Sequence, residues 1–405
     1  MDQNIEKCDL IIIGASIAGN YLCYLLSETN LKIVVIEEHE KIGLPFQCAG
    51  IVSQKLSKLI KLPEEIILNR VSIAKLVAPS GKTIKLTGNE IPIIIDRVAL
   101  DRLFYSRIYE KMRNRVNIKY FLGEKFKSFQ YVKDRAKKTL LVETSKRKFK
   151  ARILIGCDGP LSSVGKIVGT KNNVIYASQI QIKGKFNQNE AGIYFDPRWK
   201  ELFGWIVPEG NGVFRIGLAT SKNVAHKFKI FTKSLKLDLS QKIDQQGGII
   251  PYGMMNKVAF NNILLLGDAA CQVKATTGGG IIILLTSAKY AASCIIKCFK
   301  TNNFSKKFIK RNYERPCAST VGKQLKIHYI IRSILENFTI KDYDKFFQII
   351  KNSNVEYLIS IYGDMDFPRE LILKLLKNPS IFIFMIKFVL THPNLFIKLM
   401  RILTK

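Results

Sequence analysis

Apolar positions along the chain follow two different periods, and the places where the period changes divide it into segments. Near the N-terminus, Asp9-Leu-Ile-Ile-Ile-Gly14 is an unbroken apolar run ending in glycine, the pattern of a strand buried on both faces of a parallel sheet. From Ala15 to Ser27, Leu22, Leu25 and Leu26 recur at helical spacing, and Leu31 to Glu37 forms a second apolar run. Strand, Gly-rich turn, helix and strand in this order predict a βαβ unit. Gly43 to Ser53 contains glycines, a proline and no apolar repeat, so it is expected to be loop.

Further along, Val71 to Ile95 alternates about Pro79-Ser-Gly81 and predicts a hairpin. Arg97 to Arg113 reads as helix, and Ile118 to Ile155 as further strands closing on Ile153-Leu-Ile155. Val174 to Ala219 is strand-rich and holds both tryptophans. Ile263-Leu-Leu-Leu266 is another buried strand, followed by a Gly-rich loop and a long helix from Gly280 to Phe299. Everything beyond Asn302 looks helical, and no internal repeat interrupts the pattern. The expected class is α/β. A Rossmann-type nucleotide domain would occupy residues 1–70, 96–170 and 250–300. A mostly antiparallel β-sheet domain would be inserted at 71–95 and 171–249, with a helical C-terminal region at 301–405.

Composition narrows this picture. With 47% hydrophobic and 24% charged residues, the chain reads as globular. No run of about 20 uninterrupted apolar residues occurs, so no spanning helix is expected. The first nine residues lack the basic start and apolar core of a signal peptide, so a cytoplasmic protein is expected. Eight cysteines form no Cys-x-x-Cys pair and show no zinc-ligand spacing with histidine, which predicts reduced thiols and no metal site. A formal charge of +32, with 15 basic and 3 acidic residues between Lys111 and Arg152, is accounted for by composition drift or by an anionic lipid surface. No nucleic-acid partner is expected, because no aromatic residues are interleaved as a stacking platform.

Candidate chemistry lies in the turns that follow the apolar runs. Gly14-Ala15-Ser16-Ile-Ala-Gly19 sits between strand and helix, where backbone N–H groups and a helix N-terminus can hold a pyrophosphate. Serine stands at the middle glycine position. Glu37, at the end of the second strand, is placed to accept hydrogen bonds from an adenosine ribose. Far downstream, Gly267-Asp268 follows a buried strand, and Thr276-Thr-Gly-Gly279-Gly280-Ile281 opens the long helix. A carboxylate there suits a ribityl hydroxyl, and the positive helix end suits an electron-rich flavin ring. A third piece, Gly156-Cys-Asp158-Gly159, again follows an apolar strand.

These three motifs, in this order, resemble the flavoprotein class that includes para-hydroxybenzoate hydroxylase. The resemblance implies bound FAD, with Arg97 of Asp96-Arg-Val-Ala-Leu-Asp101 near the FAD phosphates and Asp158 supporting the nucleotide site. Within that class, Gly43-Leu-Pro-Phe-Gln-Cys48-Ala-Gly50 resembles the loop of geranylgeranyl reductases that holds a cysteine near the flavin. Phe203-Gly-Trp205-Ile-Val-Pro208 resembles that family's Tyr-x-Trp-x-Phe-Pro element, with Phe203 for the tyrosine and Val207 for the phenylalanine. The likeness spans about residues 8 to 300; the helical tail matches only in size and character.

The resemblance implies an FAD-dependent reductase saturating geranylgeranyl double bonds, on an archaeal-type ether lipid. Its partners would be a prenylated lipid and an electron donor such as ferredoxin or NAD(P)H. Trp205 is expected to wall an apolar tunnel or to sit in the core, and Cys48 is a candidate proton donor. A flavin monooxygenase or halogenase of an aromatic substrate, and a non-enzymatic prenyl-binding escort, are the alternative readings. At the C-terminus, Leu395, Phe396, Leu399, Ile402 and Leu403 share one helical face, and Lys398, Arg401 and Lys405 another. That pattern suits either a peripheral contact with the inner face of the cell membrane or a cap on the substrate tunnel.

Overall fold

The structure is a computed structural model and describes residues 5–88, 90–111, 117–134, 137–255 and 257–404. Four consecutive residues with no polar side, Leu10–Ile13, form a central strand of a six-stranded sheet and are all buried. Parallel partners flank that strand, Ile33–Ile36 on one side and Ile153–Gly156 on the other. Ile118–Phe121 and Ile263–Leu265 extend the parallel sheet outward. Ala259–Phe260 closes it as an antiparallel edge. Such a sheet needs cover on both faces. Part of that cover is the Ile17–Leu26 helix, packed against the Arg97–Lys111 and Ile281–Thr301 helices.

The Ile281–Thr301 helix bears on the expectation that no helix spans a membrane. By length and composition it is apolar enough to cross a membrane. It is instead a core helix, with Ile283, Leu285, Ala288, Ala291, Ile295 and Cys298 buried. Lys289, Lys297 and Lys300, which interrupt the run in sequence, lie on its exposed face.

A seven-stranded sheet forms the second layer system, in the order Lys242–Tyr252, Asn173–Lys183, Val213–Thr220, Gly204–Gly210, Glu190–Tyr194, Ile73–Val77, Thr83–Thr87. It is antiparallel except where Glu190–Tyr194 meets Ile73–Val77. The predicted hairpin is present about the Pro79-Ser-Gly81 turn but stops at Thr87. Ile93–Ile95 belongs instead to a three-stranded sheet with Ile51–Val52 and Ile67–Arg70. All three of its isoleucines are buried, which marks a fully covered strand and not the half-exposed arm of a hairpin. The loop expected at Gly43 to Ser53 therefore ends in the short strand Ile51–Val52. A helix at Val224–Ser234 and the 11-residue strand Lys242–Tyr252 were not anticipated.

Past Asn302 the chain is helical throughout. Phe338, Tyr343, Phe347, Phe384 and Phe388 build a separate core that closes on Ala78 and Ile84 of the hairpin. Thr339 and Asp342 form a reciprocal capping box that starts the Ile340–Asn352 helix. The last two helices, Pro379–Leu390 and Pro393–Thr404, meet at a bend of 106°. The single apolar face expected on the last helix is split. Leu395 and Ile402 are buried and Leu399 is half-buried, while Phe396 and Leu403 are exposed. Apolar residues cover more than half of that helix's circumference, so packing on one side leaves the others outside.

Candidate active site

The first site element is built by two glycines whose side chains could not be accommodated. Gly14 has φ +100°, and a Cβ there would lie 2.4 Å from the Cys157 carbonyl oxygen. At Gly19 a Cβ would lie 1.9 Å from the Gly14 carbonyl oxygen. The turn can thus drop onto the neighbouring strand end and the helix can approach the turn. Ala15 N–H donates to the Glu37 carboxylate at 2.7 Å, and His39 N–H donates to its other oxygen at 3.0 Å. Glu37 is therefore fixed at the strand end beside the turn, as an adenosine partner requires.

Ser16 explains its own departure from glycine. The Ser16 hydroxyl accepts from Arg97 Nη2 at 3.1 Å and donates to Asp101 at 3.3 Å. Arg97 and Asp101, one helical turn apart, pair at 2.6 Å. Burial raises the Asp101 carboxyl above its ordinary range, opposed by Arg97. This turn, Arg97 and Asp101 form one connected polar group at the mouth of a cavity.

That cavity has a volume of about 590 Å³, within the range of ligand pockets. Its lining includes polar groups (Ser16, Arg97, Asp268, Lys274 and Asp366), Gly159 and the Gly278–Gly280 turn, and apolar residues including Val71, Leu86, Phe203, Trp205, Ile359 and Leu371. Asp268 lines the cavity, and no hydrogen bond to its carboxylate is present among the described residues. Burial pushes the Asp268 carboxyl up to about 6, with the Arg97 charge pulling the other way. An acceptor held without a protein donor in a cavity wall is suited to a ligand hydroxyl. Gly280 begins the helix whose first residue is Ile281, so that helix's N-terminus opens on the same space.

Cys48 is a half-buried, cavity-lining thiol. Gly50 N–H donates to its sulfur at 3.3 Å. Gln179 Nε2 and Arg215 Nη1 donate to the Cys48 carbonyl at 3.2 and 3.4 Å. Arg215 is buried against Glu209 and stacks over Phe46 at 4.7 Å. A Cβ at Gly50 would lie 2.1 Å from Arg215 Nη1, so the glycine makes room for the guanidinium that holds the loop.

Alternation along the Gly204–Gly210 strand decides the fate of the aromatic element. Trp205 and Val207 face the cavity, joined by Phe203 just before the strand. The Trp205 indole N–H donates to Gln179 Oε1 at 2.8 Å, so this tryptophan is both core and cavity wall. Pro208 falls on the opposite side of the strand, outside the cavity, and its carbonyl accepts from Asn69. Asp158 also does not line the cavity. Its carboxylate accepts from the Ser162 hydroxyl at 2.6 Å and the Val164 N–H at 3.0 Å, which shapes the loop beside Gly159.

Other residues at this site carry no local motif. Lys274 Nζ meets Asp366 at 2.6 Å and the Met365 carbonyl at 3.0 Å, both partners lying in the C-terminal region. His328 bonds Thr276 at 2.6 Å and the Asp366 carbonyl at 3.2 Å. Buried Arg332 donates to the carbonyls of Ala275, Thr276, Leu202 and Lys200. Together they tie the Gly-rich turn to the helical region. The one sequence signal was Lys274 itself, the only charge in an otherwise uncharged stretch from Ala269 to Gly280.

The residues present fit an FAD. The Gly14–Gly19 turn offers backbone donors, and Glu37 an acceptor beyond it. Arg97 supplies a cation, Asp268 an open carboxylate, and the Ile281 helix a positive end. Residues 12–50 match a family described as the NAD(P)-binding Rossmann-like domain. A digeranylgeranylglycerophospholipid reductase of Methanosarcina acetivorans is 25% identical over 86% of this chain and 89% of its own. Among solved structures, a geranylgeranyl bacteriochlorophyll reductase-like protein of Thermoplasma acidophilum aligns with a TM-score of 0.81 and 20% identity. That alignment covers 97% of this chain and 100% of that one. The p-nitrophenol 4-monooxygenase of Pseudomonas putida aligns less closely, with a TM-score of 0.67 and 14% identity over 91% of this chain and 98% of that one. The chain is thus similar over most of its length to digeranylgeranylglycerophospholipid reductases, and it shares the fold of a geranylgeranyl reductase-like protein with a Rossmann-like N-terminal part.

Proposed function

We propose that the chain is an FAD-dependent reductase that saturates carbon–carbon double bonds of geranylgeranyl chains on an ether-lipid precursor. The observation that carries this reading is the continuity of the cavity. One cavity is lined by Arg97, Asp268 and the Gly278–Gly280 turn, by Cys48, and by the apolar residues Phe203, Trp205, Ile359 and Leu371. A long apolar chain with no hydrogen-bonding groups of its own suits such walls. Bound in reduced form, FAD supplies a hydride.

The protein's own part is binding, alignment and exclusion of water. Trp205, held flat by its bond to Gln179, and Phe203 at right angles to it leave a narrow apolar wall for an alkene. The Cys48 thiol is held by a loop whose carbonyl is pinned from two sides, and it is the group we assign to deliver a proton to the alkene carbon that receives no hydride. The Ile281 helix end would offer positive charge to an electron-rich ring, and Arg97 would offer a cation to the FAD phosphates.

The test is expression of the chain in cells that make a digeranylgeranyl lipid, with mass spectrometry of their lipids. Saturation of the prenyl chains is expected, and Glu37→Ala should purify with less flavin and saturate fewer bonds. Lipids left unchanged by a fully flavinylated protein would overturn the substrate. Oxygen uptake with hydroxylation of a phenol would put a monooxygenase in its place.

A further inference from the structure

We infer that the outer surface of the Pro379–Leu390 and Pro393–Thr404 helices is a docking face for an anionic bilayer. Nearly half of the exposed large apolar side chains among the described residues fall between Tyr357 and Leu403, a small fraction of the chain. The concentration is sharpest on the last two helices. Their inward stripes are already used, by Ile381, Phe384 and Phe388 on one and Leu395 and Ile402 on the other. Their outward stripes are apolar as well: Phe382, Ile383 and Leu390 on the first, and Phe396, Ile397 and Leu403 on the second, each 46 to 70% exposed. A helix that is apolar all round belongs against protein or lipid on every side.

Three observations select a bilayer surface as the occupant. Between Pro379 and Thr404 there is no Asp or Glu, whereas Lys387 and Arg401 are basic and exposed, with Lys398 paired to Glu336 at 3.2 Å, and the whole chain carries +32. Each helix has 12 residues, too few to span a hydrocarbon core that needs about 20. Their 106° bend excludes one continuous span, so the pair suits the headgroup plane. Finally, the face belongs to the helical region that also supplies Ile359, Ser360 and Leu371 to the cavity lining, so a lipid drawn from the bilayer would enter the cavity through that region. This last point rests on the proposed substrate; docking itself does not.

Co-sedimentation with vesicles of equimolar phosphatidylglycerol and phosphatidylcholine tests the inference. The full chain should pellet with them and pellet far less with phosphatidylcholine alone. Ile383→Asp combined with Ile397→Asp, at exposed positions, should lower the bound fraction about tenfold or more, and Lys387→Gln with Arg401→Gln should weaken binding and lower its sensitivity to salt. Flavin content and reduction of a detergent-solubilised lipid, measured on the same variants, should stay at the full chain's level. That pair of readings separates failure of docking from failure of the reductase assignment. Equal pelleting of the aspartate variant and the unmodified chain would overturn the inference. So would a solution dimer that this variant dissociates, which would make the face an interface between copies.

Discussion

At the scale of single residues, the site sets stability against binding. Asp268 is a carboxylate in the cavity wall with no protein donor among the described residues, and loss of solvent there pushes its carboxyl up to about 6 from 3.8. A raised acid contributes stability below pH 4 that is lost as the pH rises through about 6. At pH 8 the protein without flavin therefore carries a cost of up to about 3 kcal/mol, because each tenfold change in proton affinity is worth about 1.4 kcal/mol. Asp268→Asn should melt higher than the unmodified apoprotein at pH 8, equal it at pH 4, and retain less flavin; a lower melting point at pH 8 would contradict the burial argument. Cys48 gives the complementary case. Cys48→Ser should keep the flavin, because nothing in the turn or its partners depends on the thiol. Turnover should fall more than tenfold, about 1.4 kcal/mol of barrier, and turnover within twofold of the unmodified protein would make Cys48 a bystander. Both residues could be singled out from sequence, since each stands in a motif. Pro208 shows the limit of that reading: it shares a motif with Trp205, but a strand sends neighbours to opposite faces, and the motif alone does not say which face is the cavity.

Elements show where local pattern stops being informative. The βαβ unit, the strand at Ile263–Leu265 and the long Ile281–Thr301 helix were legible because each combines an apolar run with a glycine-marked end. Lys242–Tyr252 was not. Lys242, Asp244, Gln245, Gln246, Gly247 and Gly248 have no strand signature of their own, and the segment is held by pairing along nearly the whole Asn173–Lys183 strand. Contacts between distant segments were equally invisible. Lys274 and Asp366 are 92 residues apart, and Arg332 reaches carbonyls 56 to 132 residues away. His328 makes one such tie measurable. With Nδ1 accepting from Thr276 and Nε2–H donating to the Asp366 carbonyl, the ring is satisfied as the neutral form. Burial, helped by the Lys274 charge, lowers it to about 4 from 6.5. A depressed histidine contributes stability that is full above pH 6.5 and is lost as the pH falls through about 4, here about 3 kcal/mol. His328→Gln should flatten the loss of unfolding free energy between pH 6.5 and 4, measured by urea titration. An unchanged acid limb would show that this tie does not hold the helical region to the Gly-rich turn.

For the whole molecule, the arrangement places three layers around one cavity. The parallel sheet brings the Gly14 turn, Gly159 and Asp268 to the ends of adjacent strands, as open α/β sheets do for their ligands. The antiparallel sheet contributes Trp205, and the helical region contributes Ile359 and Leu371 to the lining. The joining of polar groups and apolar walls in one cavity is thus a property of the assembly and of no single segment. That joining carries the central claim, a hydride acceptor that is an isolated alkene. The most direct measurement is an anaerobic single turnover: flavin in the purified protein is chemically reduced, mixed with a digeranylgeranyl ether lipid, and followed by absorbance and lipid mass spectrometry. The account predicts that flavin reoxidises without oxygen, and that the lipid gains the mass of two hydrogens for each flavin reoxidised. Flavin that stays reduced until oxygen is admitted, with the lipid unchanged, would contradict it.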